Sequence, residues 1–257
     1  MHPALAAPRP LVFAHRGGAA IGPENTIPAF DRGLAAGADG LELDVHLSRD
    51  GIVVVHHDSR LDRTTTASGA LAARTAAELA EIDATSRFNP LEPTAGVPTL
   101  DGVLRRYPSV KIIVELKQGT PGLARAVVEV VRRADATGRV CVASFSLRAM
   151  RAARAQEASL ATSAAKIEAR LALYRSRCRW SLGRPRYAAF QVPDTNGSTR
   201  VVSPAFVRMA HQAGVAVQVW TVDAPEDIHR LLDWGVDGII TDRPDVASEI
   251  VRKRYGR

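Results

Sequence analysis

The stretch LELDVHLSRDGIVVVHHD, residues 41–58, holds two apolar-rich runs separated by Asp50-Gly51. An Asp-Gly pair between two such runs is a strong signal for a β-hairpin. If the loop has two residues, Arg49 pairs with Ile52, and the numbers of paired residues sum to 101. The pattern therefore predicts two antiparallel strands joined by a tight turn.

The same hairpin is predicted to place acids and a histidine on one surface. In that register Asp44 lies opposite His57, and Glu42 shares the face of Asp44 because side chains alternate along a strand. A register shift of one residue would put His56 there instead. His46, nearer the turn, is expected to be solvated. The opposite face is predicted to carry the packing residues Leu43, Val45, Leu47 and Val54.

Short apolar runs alternate with helical patterns along the whole chain. Most of the runs are β-branched, as strands buried on both faces should be. The predicted strands are residues 11–14, 40–45, 111–116, 140–144, 159–162, 188–192, 216–219 and 238–241. The helical patterns cover residues 26–36, 122–136, 147–155, 204–213, 225–233 and 245–254. Eight strands alternating with helices over about 250 residues predict an α/β fold, a (β/α)8 TIM barrel, as one domain over residues 1–257.

Two features modify this barrel. The hairpin extends the second strand, and residues 59–106 form a small insertion before the third, with one helical piece at 73–82. The insertion is expected to pack over the barrel mouth. An open doubly wound sheet competes with the barrel, but its G-x-G-x-x-G fingerprint does not follow the first strand. Asn25 and Asp242 precede helices and are predicted to cap them.

Polar side chains gather at the carboxyl ends of the predicted strands, where barrel enzymes build their active sites. Besides the hairpin residues, the strand ends carry His15, Arg16, Glu115, Lys117, Phe145, Gln191, Trp220 and Asp242. Charges gathered at a barrel mouth are costly unless they are paired or bind a metal. This set is therefore hard to explain as structure alone.

Three of these side chains are carboxylates suited to a metal ion. Glu42, Asp44 and Glu115 offer hard oxygen ligands, which favour Mg²⁺ or Ca²⁺. Zinc would prefer more histidine or cysteine ligands. The sequence therefore predicts a divalent cation site with positions open for water or phosphate oxygens.

The remaining charged side chains suit a phosphate and its proton transfers. Arg16 and Lys117 offer cationic donors, and the arginine can bind two oxygens at once. His15 and His57 can act as base and acid near neutral pH, although the sequence does not assign which is which. A divalent ion, cationic donors and an acid-base pair together form a phosphoryl-transfer apparatus.

Eight short motifs occur in a fixed order along the chain. They are AHRG (14–17), PENT (23–26), LELDV (41–45), HD (57–58), LDRTT (61–65), VELK (114–117), WTV (220–222) and GIITD (238–242). Each is weak alone, but the ordered set resembles the glycerophosphodiester phosphodiesterase family over roughly residues 11 to 250. One departure is Asp223, where many relatives look to carry asparagine. This difference is expected to affect the cap of a helix more than the catalytic chemistry.

The resemblance implies a TIM-barrel hydrolase that depends on a divalent cation and cleaves glycerophosphodiesters to sn-glycerol 3-phosphate and an alcohol. It implies that His15 and His57 are the acid-base pair, that Glu42, Asp44 and Glu115 hold the metal, and that Arg16, Lys117, Trp220, Glu24 and Phe145 bind substrate. For Glu24 the alternative is stabilisation of the helix dipole. A lysophospholipase D or sphingomyelinase D-like enzyme is the first rival reading, and a non-catalytic phosphodiester-binding barrel is the second.

The charge of the chain is +7 at pH 7, and much of it is local. Seven Lys and Arg residues lie between positions 166 and 186, against Glu168 alone. This segment is interpreted either as a solvated helix face or as a site of transient contact with an anionic membrane surface. Nucleic acid is not an expected partner, because RNP-type aromatic motifs and zinc knuckles are missing.

The sequence shows no pattern for secretion, for a membrane span or for a disulfide framework. The N-terminus shows no signal-peptide pattern, and no apolar run approaches the roughly 20 residues of a membrane span. The two cysteines, Cys141 and Cys178, do not suggest a disulfide framework. These features predict a cytoplasmic protein.

Overall fold

Eight parallel strands form a nearly closed barrel in the computed structural model, which describes residues 2–256. The described residues form eleven strands, of which eight build the barrel: β1 Leu11–His15, β2 Gly40–Leu47, β3 Val53–Val55, β4 Lys111–Leu116, β5 Val140–Ala143, β6 Ala161–Thr162, β7 Ala189–Pro193, β8 Thr195–Asn196, β9 Thr199–Arg200, β10 Ala216–Trp220 and β11 Gly238–Thr241. The barrel order is β6-β5-β4-β2-β1-β11-β10-β7. A single parallel bridge between Ser163 and Ala189 joins the two ends. The predicted fold class is confirmed.

Most of the helices cover the outside of the barrel, and the short helix at residues 76–80 packs within the insertion. The helices are α1 Ile27–Ala35, α2 Ala76–Ala80, α3 Leu100–Arg106, α4 Pro121–Arg133, α5 Leu147–Gln156, α6 Lys166–Arg177, α7 Pro204–Gln212, α8 Pro225–Asp233 and α9 Pro244–Tyr255. Several begin at a side-chain cap, as Ser203 does for α7 by accepting from the Phe206 amide. Among residues 2–256, no helix is both long and apolar enough to span a bilayer.

The strands are buried on both faces, which explains their continuous apolar sequences. Inside the barrel, Phe13, Ile113 and Ile240 pack with small side chains of neighbouring strands. Ala4 and Leu5 belong to the same cluster and are almost fully buried. The N-terminal turn therefore contributes to the core inside the barrel, a contact that no sequence pattern indicates.

The register of the β2–β3 hairpin differs from the prediction by one residue. His46 pairs with Val54 and Val45 with Val55, so the paired numbers sum to 100 rather than 101. The loop has three residues, because the Ser48 hydroxyl accepts from the Ile52 amide at 3.0 Å. Gly51 adopts φ +77°, which suits a three-residue loop.

This register changes the face of the hairpin on which Val54 lies. Directly opposed residues share a face, so Val54 lies on the face of His46 and not with Val45 as predicted. Val54 packs instead with Leu61, Leu71 and Leu79 of the insertion. The insertion thus has a small core of its own, anchored on the hairpin.

Most other elements were predicted within a few residues, but the predicted helices did not include α3 and gave no bounds for α6. Two further segments also differ from the prediction. The helical piece at 73–82 is a short 3-10 turn, Leu71–Ala73, followed by α2, since Thr75 and Glu78 form a capping box between them. The β8–β9 hairpin was not predicted, although the Asn196-Gly197 pair at its turn is a turn signal.

Candidate active site

A pocket lies at the carboxyl ends of the barrel strands. Its predicted lining residues are His15, Arg16, Glu42, His57, Glu115, Lys117, Phe145 and Trp220. The other two predicted site residues, Asp44 and Glu24, contact Arg16. Among residues 2–256, the lining of this pocket includes no residue of the insertion. The insertion reaches the site from the side, through Arg63.

Three carboxylates converge at one wall of the pocket. Glu42 and Asp44 alternate along β2, and Asp44 is in register with Glu115 of β4. One oxygen of each lies within 4.8 Å of the others. Burial and the charge of Asp44 raise the pKa of Glu42, and burial also raises the pKa of Glu115 despite Lys117 nearby. Three acids this close and this buried could hold a cation.

The two carboxylate oxygens of Asp44 differ in their hydrogen bonding. Asn25 Nδ2 donates to Asp44 Oδ2 at 2.9 Å, and Asn25 Oδ1 accepts from the Asp44 amide at 3.2 Å. Asp44 Oδ1 is buried and accepts no hydrogen bond from any of residues 2–256, with Lys117 Nζ 3.4 Å away. A buried carboxylate oxygen without a donor fits a metal ligand.

Asn25 itself is a site residue that the sequence reading missed. It was predicted to cap α1, but the cap is Thr26, whose hydroxyl accepts from the Ala29 amide. Asn25 adopts φ +59°, a conformation that asparagine tolerates better than most residues. The available signal was its place in the PENT motif.

Arg16 begins the loop after β1 with φ +53°. Its backbone amide donates to Glu42 Oε2 at 3.1 Å. Its Nη1 donates to Glu24 Oε1 at 3.1 Å, and its Nε lies 3.2 Å from Asp44 Oδ2. The guanidinium is thus fixed beside the carboxylates while still lining the pocket.

His15 is oriented by an acid from the last strand. Its Nδ1 donates to Asp242 Oδ1 at 2.7 Å, and its Nε2 lies 3.8 Å from Glu42 Oε2. Burial lowers the pKa of His15, but the hydrogen bond to Asp242 and the charge of Glu42 outweigh it and raise the pKa overall. The prediction that Asp242 caps α9 is wrong, because the cap position is Arg243.

His57 is oriented by its neighbour, Asp58. Its Nδ1 donates to Asp58 Oδ1 at 2.5 Å. Arg63 donates to the other oxygen of Asp58 at 2.7 Å and to both oxygens of Glu24, so the chain of contacts runs on to Arg16. Burial lowers the pKa of His57, whereas the Arg63 hydrogen bond holds the pKa of Asp58 well below its usual range.

The shifted hairpin register still leaves His57, and not His56, in the pocket. Strand β3 ends at Val55, so strand alternation does not govern the histidines that follow. His56 is buried and donates from Nε2 to the Arg60 carbonyl. His46, predicted to be solvated, is also buried, and its Nε2 donates to the His57 carbonyl at 3.0 Å.

Part of the pocket lining is aromatic. Phe145 and Trp220 meet edge to face with centroids 6.0 Å apart. Gln191, which the sequence left open, lines the pocket and donates to Gln218 Oε1 at 2.8 Å. Lys117 also lines the pocket, with Nζ 3.5 Å from Glu115 Oε2.

A (β/α)8 barrel with clustered carboxylates, cationic donors and two oriented imidazoles at its carboxyl rim is the architecture of a phosphodiester hydrolase. The comparisons with known proteins agree. The model of the glycerophosphoryl diester phosphodiesterase family matches residues 15–246. The chain belongs to this family, and it is an enzyme, a phosphoric diester hydrolase.

Individual relatives are similar over nearly the full chain. The glycerophosphodiester phosphodiesterase of Caldanaerobacter subterraneus subsp. tengcongensis is 34% identical over 250 residues, covering 95% of this chain and 98% of its own. That of Bacillus altitudinis is 33% identical over 248 residues, covering 93% and 97%. The crystal structure of the Agrobacterium tumefaciens glycerophosphodiester phosphodiesterase aligns with TM-score 0.78 at 27% identity, covering 93% and 99%.

Proposed function

We propose that this enzyme hydrolyses glycerophosphodiesters to sn-glycerol 3-phosphate and an alcohol, with His15 and His57 as the acid-base pair. The supporting observation is that both imidazoles line one pocket with Arg16, Glu42 and Glu115. Each imidazole is also fixed by a carboxylate at Nδ1, which leaves Nε2 to exchange a proton with the reactants. The activity named for the relatives supports the same conclusion.

In this mechanism the phosphate lies between the two imidazoles. Arg16 and Lys117 stabilise charge on the non-bridging oxygens, and Glu24 holds the Arg16 guanidinium in place. One imidazole accepts a proton from the nucleophile, which is water or a glycerol hydroxyl, and the other donates a proton to the departing alkoxide. If the glycerol hydroxyl attacks, a cyclic phosphate forms first, and water then opens it to sn-glycerol 3-phosphate. Phe145 and Trp220 form the wall against which the organic part of the diester packs.

Glu42, Asp44 and Glu115 would hold a divalent cation, Mg²⁺ or Ca²⁺, beside this phosphate. When bound, such an ion supplies Lewis-acid polarisation of the phosphoryl oxygens. Asn25 fixes one oxygen of Asp44 and leaves the other free to act as ligand. Burial and the neighbouring carboxylates disfavour the ionised form of Glu42, and a bound cation would offset that effect.

The proposed activity is tested by release of sn-glycerol 3-phosphate from purified protein, detected with a coupled dehydrogenase. Glycerophosphocholine, glycerophosphoethanolamine and glycerophosphoglycerol should each give this product in the presence of Mg²⁺ or Ca²⁺. Lysophosphatidylcholine serves as the contrasting substrate. Faster production of lysophosphatidic acid than of glycerol 3-phosphate would instead establish the lysophospholipase D reading.

A second prediction concerns Asp242 as a positioning residue for His15. Asp242→Asn should lower kcat by roughly 10- to 100-fold, because the neutral amide no longer fixes the ring tautomer. Asp242 raises the pKa of His15, so its loss lowers that pKa. The limb of the pH–kcat profile that His15 governs should therefore move to lower pH.

The matched control for this prediction is Asp245→Asn. Asp245 lies three residues further on, and its carboxylate pairs with Arg243 on the outside of α9. This variant should keep both the wild-type kcat and the wild-type pH profile. If Asp242→Asn lowered kcat with no movement of either limb, a purely structural role for Asp242 would be the better explanation.

A further inference from the structure

One side of the barrel combines strong positive charge with exposed apolar side chains. This α6 surface comprises α6 and the loop after it, up to residue 186. Its cations are Lys166, Arg170, Arg175, Arg177, Arg179, Arg184 and Arg186, and its exposed apolar side chains are Ile167, Leu171, Tyr174 and Trp180. With Glu168 as its one acid, the segment carries a net charge of +6, nearly the whole +7 of the chain.

The charge of the α6 surface is not neutralised within the fold. Glu168 is engaged by Arg154 at 2.8 Å. Arg175 and Arg177 donate to backbone carbonyls. In the part of the chain that the structure describes, none of the seven cations forms an ion pair. A patch of this kind favours an anionic partner.

The apolar side chains follow the helical repeat. Ile167, Leu171 and Tyr174 are spaced four and three residues apart, so they lie on one face of α6. They are 46%, 58% and 60% exposed, and Trp180 packs edge to face on Tyr174. An apolar stripe with an aromatic pair, flanked by Lys and Arg, is typical of helices that lie in a membrane interface.

The α6 surface borders the mouth of the catalytic pocket. Helix α6 begins just after β6, at the carboxyl rim of the barrel. The Lys166 amide donates to the carbonyl of Phe145 at 3.2 Å, and the half-exposed Phe145 ring lines the pocket. A flat partner that covered the α6 surface would therefore lie beside the pocket.

We propose that the α6 surface docks the enzyme on anionic phospholipid membranes, with the apolar stripe inserted among the headgroups and the cations bound to lipid phosphates. A second copy of the chain fits poorly, because a self-complementary interface would bring two patches of +6 together. Nucleic acid would match the cations but would leave the aliphatic Ile167 and Leu171 without a role.

Docking also suits the chemistry of the proposed substrate, and this point alone rests on the proposed function. A glycerophosphodiester is a glycerophospholipid without its acyl chains, so an ester-hydrolysing reaction at a membrane must supply it. An enzyme held at that surface by α6 would meet its substrate where it is released.

The test is binding of the full chain to vesicles, measured by co-sedimentation. We expect binding to vesicles that contain phosphatidylglycerol, weaker binding as salt rises, and little binding to pure phosphatidylcholine vesicles. Arg170→Gln with Arg184→Gln should weaken binding roughly thirtyfold. Ile167→Ser with Leu171→Ser should weaken it at least about tenfold.

Two double variants outside the α6 surface serve as controls, because they make the same types of substitution at other exposed positions. Arg125→Gln with Arg252→Gln removes two exposed charges, and Ile52→Ser with Leu91→Ser removes two exposed aliphatic side chains. Both should bind like the wild type. The proposal is wrong if these controls lose as much affinity as the α6 variants, or if neutral and anionic vesicles bind equally.

Two further measurements separate this proposal from its competitors. If the α6 variants abolish a dimer seen by sedimentation velocity, or if single-stranded RNA binds the wild type more tightly than anionic vesicles do, the membrane assignment is overturned. Turnover of soluble glycerophosphoglycerol should be the same in the α6 variants and the wild type. A wild type without that turnover would defeat the proposed function and leave the vesicle result standing.

Discussion

Replacing His15 or His57 by alanine is expected to lower kcat by roughly 10²- to 10⁴-fold while the barrel stays folded. Each imidazole lines the pocket and is held there by a carboxylate, so its loss removes one proton-transfer group and little packing. Activity on glycerophosphoglycerol measures the loss, and circular dichroism measures the fold. His229→Ala, on the exposed side of α8, is the control and should keep full activity.

The same two variants can assign the acid and the base. A diester whose leaving group is 4-nitrophenolate needs no protonation of that group, so the variant that lacks the general acid should regain most of its activity on it. The variant that lacks the general base should stay inactive. Equal, near-wild-type turnover of glycerophosphoglycerol by both variants would contradict the assignment of either histidine.

Removal of divalent cations is expected to lower kcat by about as much as the loss of either histidine. EDTA should reduce kcat by about 10³-fold or more, and Mg²⁺ or Ca²⁺ should restore it, because a metal contributes several kcal/mol of charge stabilisation to such a reaction. Binding can also be measured without turnover. The metal should raise the Tm of the wild type, since it binds only the folded chain.

Glu42→Gln tests which groups hold that metal. Burial and the charge of Asp44 raise the pKa of Glu42, so without metal the carboxyl group already favours its neutral form. Glutamine should therefore be tolerated by the fold, yet the variant should lose both activity and the Tm increase with metal. Glu129→Gln, on the exposed side of α4, should behave like the wild type. A metal-dependent Tm increase retained in Glu42→Gln would exclude Glu42 as a ligand.

The raised pKa of Glu42 also gives metal binding a definite pH dependence. A proton and a cation compete for this carboxylate, so metal affinity should fall as the pH is lowered toward and below the raised pKa. Titration calorimetry in two buffers of different ionisation enthalpy should detect proton release on binding. Affinity that stays constant as the pH is lowered would show that Glu42 is ionised before the metal arrives.

Much of the site could be predicted because its residues occupy defined positions on strands. Glu42 and Asp44 share a face through the period-two alternation of β2, and the parallel pairing of β2 with β4 then brings Glu115 to the same wall. Neither step requires knowledge of a distant loop. The convergence of the three carboxylates in one place is accordingly a prediction that the geometry confirms.

The register of the β2–β3 hairpin could not be predicted from its turn sequence alone. An Asp-Gly pair indicates a turn, but the number of loop residues depends on whether Ser48 bonds to Ile52. That choice shifted the register by one and moved Val54 to the core of the insertion. The position of His57 does not depend on this register, because β3 ends at Val55 and His57 lies in the loop that follows. The His57 carbonyl accepts a hydrogen bond from His46 Nε2.

By itself, the sequence determined the (β/α)8 barrel, the strand ends that form its mouth and the types of side chain gathered there, because strand and helix periodicities are properties of neighbouring residues. Only the tertiary structure decided the partners that orient those side chains. Asp242 bonds to His15 across 227 positions of sequence, and Asn25 reaches Asp44 from the loop before α1. Such contacts depend on closure of the barrel and on loop conformation, neither of which leaves a local pattern.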